Sequence, residues 1–280
     1  MYPKIKRNIQ ISKVLASGGT AKVYYGHDLW QTGKNGKPKE VAVKELFESR
    51  ARDAFVRDKF KNEANLYLTL KHKNIIRVSD FIVKSHTDYI VMEYFPGINF
   101  DEYVNTVTGN LVGENLLHIF SQILKAVAHA HHANVYHLDI KPSNIMIAKN
   151  SREVKVVDFG IATDKEEKIA KEKRRMGTPM FMSPEQVKTE PLSRTTDIYA
   201  LGLTLYFAVT RSMPYSGNIT LYELFDTIVN GSIPNIKNNY PGENPDALQK
   251  VIKRATAKNP ADRFQTCEEF YHFLEKAITK

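Results

Sequence analysis

The patterning of this chain changes at Phe95–Gly97, and that change limits the folds open to it. Before it, four segments alternate apolar and polar residues and are rich in β-branched and aromatic side chains: IQISKVLAS (9–17), AKVYYGHDL (21–29), EVAVKEL (40–46) and DYIVMEYF (88–95). Gly, Asn and Pro in QTGKNGKPKE (31–40) mark an exposed hairpin turn. A small antiparallel sheet is expected, interrupted by one helix over Arg52–Leu70, where Val56, Phe60, Ala64, Tyr67 and Leu68 recur at helical spacing. After the change the spacing is helical: Leu116, Ile119, Phe120, Ile123, Leu124 and Val127 line one face of Asn115–His132, and Cys267–Ile278 is amphipathic. Ile198–Val209 is apolar almost all round but too short to cross a bilayer, so a buried central helix is expected there. At 280 residues the chain exceeds the usual single domain. The expected fold is α+β with two lobes, a sheet with one helix over 1–94 and a larger, mostly helical lobe over 95–280.

Several polar residues sit where this pattern does not need them. Glu63 falls on the inward stripe of the first helix beside Phe60 and Tyr67, where a carboxylate requires a partner. Lys44 ends the strand VAVK (41–44). The stretch HLDIKPSNIMI (137–147), followed by Asp158, Phe159 and Gly160, supplies an acid, a lysine, an amide and a second acid. Asp139 is a candidate base or nucleophile-orienting group, and Asn144 and Asp158 offer the hard oxygens that Mg²⁺ prefers. Gly18 and Gly19 tip the turn LASGGTAKV (15–23).

With GTPMFMSPE (177–185), Asp197 and Arg263 in NPADRF (259–264), these elements stand in the order and spacing of the protein-kinase signature set. Over residues 11–272 the chain resembles a Ser/Thr protein kinase of the eukaryotic-like type, in a bacterial style. The resemblance implies a bilobal protein-kinase-like fold that transfers the γ-phosphoryl group of ATP to Ser or Thr hydroxyls of proteins, itself included. Mg²⁺ is the implied ion, with Mn²⁺ as an alternative. Lys44 would hold the α- and β-phosphates, oriented by Glu63. Leu15, Gly18, Gly19, Val23, Ala42 and Met146 would surround the nucleotide, Met92 would act as gatekeeper, and the backbone of Glu93 and Phe95 would bond the adenine. Asp139 would orient the acceptor hydroxyl and take its proton, and Lys141 would neutralise charge on the moving group. Thr178 would tie the substrate loop to Asp139 and Lys141, and Asn144 and Asp158 would hold the metal. His137 would pack and hydrogen-bond, Asp197 would anchor the loop backbone, and Glu185 and Arg263 would form a buried ion pair.

Two departures from the family pattern carry meaning. Ala16 and Ala21 replace the first and third glycines of the phosphate loop, which should cover phosphate with less freedom. Leu138 replaces an arginine that in much of the family meets a phosphorylated activation loop, and Thr163 is the only hydroxyl between Ile161 and Arg175. The expectation is an enzyme that needs no activation-loop phosphate. Two other readings stand beside it: a pseudokinase scaffold, and a small-molecule phosphotransferase, against which the peptide-docking style of GTPMFMSPE speaks.

A net charge of +9 invites acidic partners. The most basic stretch, Lys165–Arg175, is broken by Glu166, Glu167 and Glu172, so nucleic acid is not an expected partner. No apolar segment is long enough for a membrane span and MYPKIKRNIQ has no signal-peptide core. The single cysteine, Cys267, excludes an intramolecular disulfide, and the cytoplasm is the expected location. Homodimerisation through the small lobe stays open, as does membership of a longer receptor chain.

Overall fold

The computed structural model describes residues 5–6, 8–33, 35–106, 111–148, 150–159, 178–215, 219–237 and 240–279. The chain divides into two compact units, one running to His72 and resuming over Ile76–Pro96, the other comprising Lys73–Ile75 and everything from Gly97. The three-residue excursion has a cause: Asn74 Nδ2 donates to Val154 O (2.9 Å) and Val156 N–H donates to Asn74 O (2.8 Å), which pins the segment to the second unit.

In the first unit β1 (Ile9–Ser17), β2 (Ala21–Thr32), β3 (Pro38–Leu46), β4 (Val78–Val83) and β5 (Asp88–Glu93) form one antiparallel sheet in the order β1-β2-β3-β5-β4. Gly26 is required where β2 crosses β1, because a Cβ there would lie 2.4 Å from Gln10 O. Strand pleating turns Val41 and Val43 into a cluster with Ile9, Ile11, Tyr24, Tyr89 and Val91, and thereby turns Ala42 and Lys44 to the other face. A short helix α1 (Glu48–Ala51) precedes α2 (Ala54–Thr69), which Asp53 caps by accepting from the N–H groups of Phe55 and Val56. Helix α2 lies against β4 and β5 and buries Phe60, Glu63, Ala64 and Tyr67. Leu68, expected on that stripe, is exposed. It stands about 80° around the helix from Phe60, at the stripe's edge.

The second unit contains β6 (Ile98–Asn99), α3 (Phe100–Thr106), α4 (Gly113–His132), β7 (Ile145–Ile147), β8 (Val154–Val156), α5 (Pro184–Lys188), α6 (Arg194–Thr210), α7 (Leu221–Asn230), α8 (Pro245–Ala255) and α9 (Cys267–Thr279). Strands β6, β7 and β8 pair in that order. Helix α6 is buried at every residue from Thr195 to Val209, as an all-round apolar segment must be. A capping box between Ser193 and Thr196 starts it, and Gly202 lets it approach α8 so closely that a Cβ would sit 2.8 Å from that of Ala255. Among the described residues no helix is long and apolar enough to cross a membrane.

Candidate active site

The first unit brings Lys44 and Glu63 together. Lys44 Nζ donates to Glu63 Oε1 (2.8 Å) and Oε2 (2.9 Å), and it lies 5.8 Å from the centre of the Phe60 ring. The glutamate side chain is 4% exposed and the lysine 16%, so both ends are largely withdrawn from water. Pleating of β3 and the helical spacing of α2 produce this meeting. On the lysine's side of the sheet, Ala42 pairs with Met92 and Lys44 pairs with Val23. Glu93 ends β5, with its carboxylate accepting from Arg77 N–H (2.8 Å), and Phe95 beyond it is buried. Leu15 is exposed on β1 and leads to the turn of Gly18 and Gly19. Neither glycine has positive φ, and a Cβ on Gly19 would meet nothing within 4 Å, so the tip is open above its backbone. Ala16 pairs with Val23, and Ala21 opens β2 opposite Leu46. Both alanines therefore lie in paired strand, Ala16 beside a register shift, and neither has positive φ.

The second unit gathers Asp139, Lys141, Asn144 and Thr178. Asp139 Oδ2 accepts from Lys141 Nζ (2.7 Å) and Asn144 Nδ2 (3.2 Å). Its Oδ1 accepts from the Thr178 N–H (3.0 Å) and hydroxyl (3.3 Å). Those four donors match the lone-pair capacity of a carboxylate and fix its plane. Lys141 Nζ also donates to Thr178 Oγ1 (2.5 Å), and Asn144 Nδ2 to Asp139 O (2.9 Å). Asn144 thus directs its amide nitrogen at Asp139, leaving Oδ1 as the atom suited to a hard cation. Met146 points away from the buried Ile145 and Ile147 on β7.

Beneath this cluster lies a rigid support. Asp197, at the start of α6, is fully buried and accepts from the N–H groups of His137 (2.8 Å) and Leu138 (2.7 Å) and from His131 Nε2 (2.8 Å). Burial alone would raise its pKa; the hydrogen bond and charge of His131, with His137 and the Leu138 N–H, outweigh it and keep the group below the usual carboxylate range. Leu138 has φ 63°, a left-handed conformation that a leucine adopts only when its surroundings impose it. Its N–H is held by Asp197, its carbonyl accepts from Gln186 Nε2 (3.0 Å), and its side chain clusters with Tyr136 and Leu192. His137 donates from Nε2 to Val157 O (3.1 Å) and accepts the Asp139 N–H at Nδ1 (3.3 Å), which engages both ring nitrogens. Sequence reasoning misses His131 and Gln186, because a buried histidine on α4 and a glutamine inside a capping box resemble routine helix residues.

Glu185 and Arg263 form a bidentate pair at 2.7 and 2.8 Å. The remaining guanidinium N–H groups donate to Thr195 O, Ala257 O and Lys258 O, so all five donors are used. Burial by itself would raise the Glu185 pKa, and Arg263 with Thr196 lowers it below the ordinary value.

Asp158 lies just past β8, with φ 65°. Gly160, Thr163 and Gly177 fall outside the described residues. Among the described residues no group of three or more His, Cys, Asp or Glu side chains could hold a metal ion. A Mg²⁺ bound with a nucleotide does not need one: it takes one or two protein oxygens and completes its shell with phosphate and water. Asn144 and Asp158 fit that donor set.

A family model described as "Protein kinase domain" matches residues 9–273. The chain is 35% identical over 277 residues to serine/threonine-protein kinase PrkC of Bacillus subtilis, covering 98% of this chain and 41% of PrkC. It is 30% identical to serine/threonine-protein kinase PknB of Mycobacterium tuberculosis, covering 93% of this chain and 41% of that protein. It therefore spans about two fifths of the length of these curated relatives. The crystal structure of the Mycobacterium tuberculosis PknI kinase domain superposes with a TM-score of 0.73 at 22% identity, covering 98% of this chain and 97% of that one, which shows the shared fold. On the family match and these relatives, the chain belongs to the protein kinase domain family.

Proposed function

We propose that this chain is an ATP-dependent protein kinase that transfers the γ-phosphoryl group to serine and threonine hydroxyls. The supporting observation is the Asp139 cluster: a carboxylate oriented by four hydrogen bonds, beside a lysine aimed at the same spot. An incoming hydroxyl displaces the longest of those bonds, from the Thr178 hydroxyl, and gives its proton to Asp139 as its oxygen bonds phosphorus and the bond to the ADP oxygen breaks. Lys141 offsets charge on the transferred group, whose transition state is loose and gains mainly from positioning and electrostatics. Lys44, oriented by Glu63, holds the α- and β-phosphates. Leu15, Gly18, Gly19, Val23, Ala42, Met92, Glu93, Phe95 and Met146 hold the nucleotide. Asn144 and Asp158 hold Mg²⁺ or Mn²⁺, which supplies positive charge to the phosphate oxygens.

The same reading covers regulation and setting. Leu138 occupies the family's phosphate-reading position with a buried apolar side chain packed on Leu192, which supports activity without an activation-loop phosphate. Protein substrates, autophosphorylation and a cytoplasmic location belong to the proposal, and the first unit, expected from sequence to run to residue 94, is the nucleotide-binding lobe. Incubation with γ-labelled ATP, Mg²⁺ and a generic acceptor protein, followed by phosphoamino-acid analysis, should give phosphoserine and phosphothreonine. Absence of label would favour a scaffold without turnover. Prior phosphatase treatment should leave the initial rate unchanged, and its loss would remove the phosphate-independent part of the proposal.

A further inference from the structure

Helix α2 is tied to its sheet at a second polar contact. Arg57, in the first turn of the helix, donates from Nε to Asp88 Oδ2 (2.7 Å) and from Nη2 to Asp88 Oδ1 (2.8 Å) and Lys84 O (2.6 Å). This is a bidentate fork with a carbonyl added, a geometry that lysine cannot reproduce. The acceptors are built in advance. Lys84 N–H donates to Thr87 O (3.1 Å) and Asp88 Oδ1 (3.3 Å), and the Thr87 hydroxyl donates to Leu46 O at the end of β3. The Asp88 side chain, at the start of β5, is 3% exposed, so the Arg57 fork closes on a buried acceptor.

Glu63 sits six residues further along α2, about 9 Å up the axis and on the opposite flank of the buried stripe. A helix held on one flank can roll, and rolling would carry Glu63 away from Lys44. Held by Arg57 on one flank and Glu63 on the other, with Phe60 buried between, α2 cannot roll without breaking a tie. We infer that Arg57, acting through Asp88 and the Lys84 carbonyl, is a positioning residue that sets the roll of α2 and so presents Lys44 to nucleotide phosphates. The inference rests on the phosphoryl-transfer reading of Lys44.

Removing Arg57 alone would strand the buried Asp88 charge and destabilise the fold for a trivial reason. The decisive variant is therefore R57A/D88N, which leaves no charge behind and keeps a side-chain oxygen for the Lys84 N–H. Wild type, R57K, R57A and R57A/D88N are compared by ATP-dependent phosphorylation of myelin basic protein, by melting temperature and by amide exchange across Ala54–Thr69. The expected result is an R57A/D88N protein that melts near wild type but has about a tenfold lower kcat/KM for ATP and faster exchange in α2, with R57K in between. Wild-type kcat/KM and α2 protection in the double variant would overturn the inference, as would activity that merely tracks melting temperature across the set. A wild-type chain that transfers no phosphate would instead count against the proposed function, and the exchange data would still decide the roll of α2.

Discussion

Two ion pairs, one in each unit, show how differently the same chemistry can be used. Arg263 has its side chain fully buried, spends all five N–H groups on fixed acceptors and joins Glu185 to the carbonyls of Thr195, Ala257 and Lys258. Lys44 is 16% exposed and reaches Glu63 with a rotatable ammonium across a strand and a helix that are separate elements. Rearranging the arginine would orphan several buried groups at once, whereas the lysine can exchange one anionic oxygen for another at small cost. The first arrangement suits permanent structure, and the second suits a group that must meet a ligand.

The contrast breaks down if the two pairs respond alike to mutation. Arg263→Ala should give the largest effect, about 3–5 kcal/mol lower stability, because Glu185 is left charged and buried. Denaturant unfolding measures it, and a loss under about 1 kcal/mol would mean that the pair is not the fixed brace described. A sharper comparison removes both partners from each pair. Lys44→Met with Glu63→Gln should melt within a few degrees of wild type yet lose about 10²–10³-fold in kcat/KM for ATP. Arg263→Met with Glu185→Gln should remain destabilised, since the carbonyls still lack donors. The smallest effect concerns pH. Glu185 and Asp197 both have folded pKa values below their unfolded ones, so they contribute stability that is fully present above about pH 5 and lost as pH falls through about 4 and below. Melting temperature should therefore decline on acidification, and Asp197→Asn should flatten that decline.

Local pattern brings the sheet, the stripe of α2 and the central α6 into view, because period and burial coincide there. Glu63 is visible as a carboxylate on an apolar stripe, and the structure supplies its partner. Strand β4 escapes notice because Ser79 and Asp80 interrupt its alternation and a bulge between Val78 and Asp80 shifts its register. The Arg57–Asp88 tie spans 31 residues and leaves no periodic trace. Nor does the positive φ of Leu138, which no property of leucine announces and which Asp197 and Gln186 hold from distant helices. Ala16 and Ala21, where the family pattern has glycines, lie in paired strand and neither has positive φ, which pairing across distant residues decides and local sequence does not show.

Asp139→Asn tests the central claim most directly, with phosphate transfer and melting temperature measured on the same preparation. The amide keeps the size of the side chain and an acceptor for Lys141 and Asn144, turns an NH2 toward the Thr178 N–H, and removes the base. A rate lower by about 10²–10⁴-fold, far more than a melting temperature within a few degrees of wild type accounts for, is the expected result. Equal transfer by wild type and variant would show that this carboxylate takes no proton and that the cluster around it is structural.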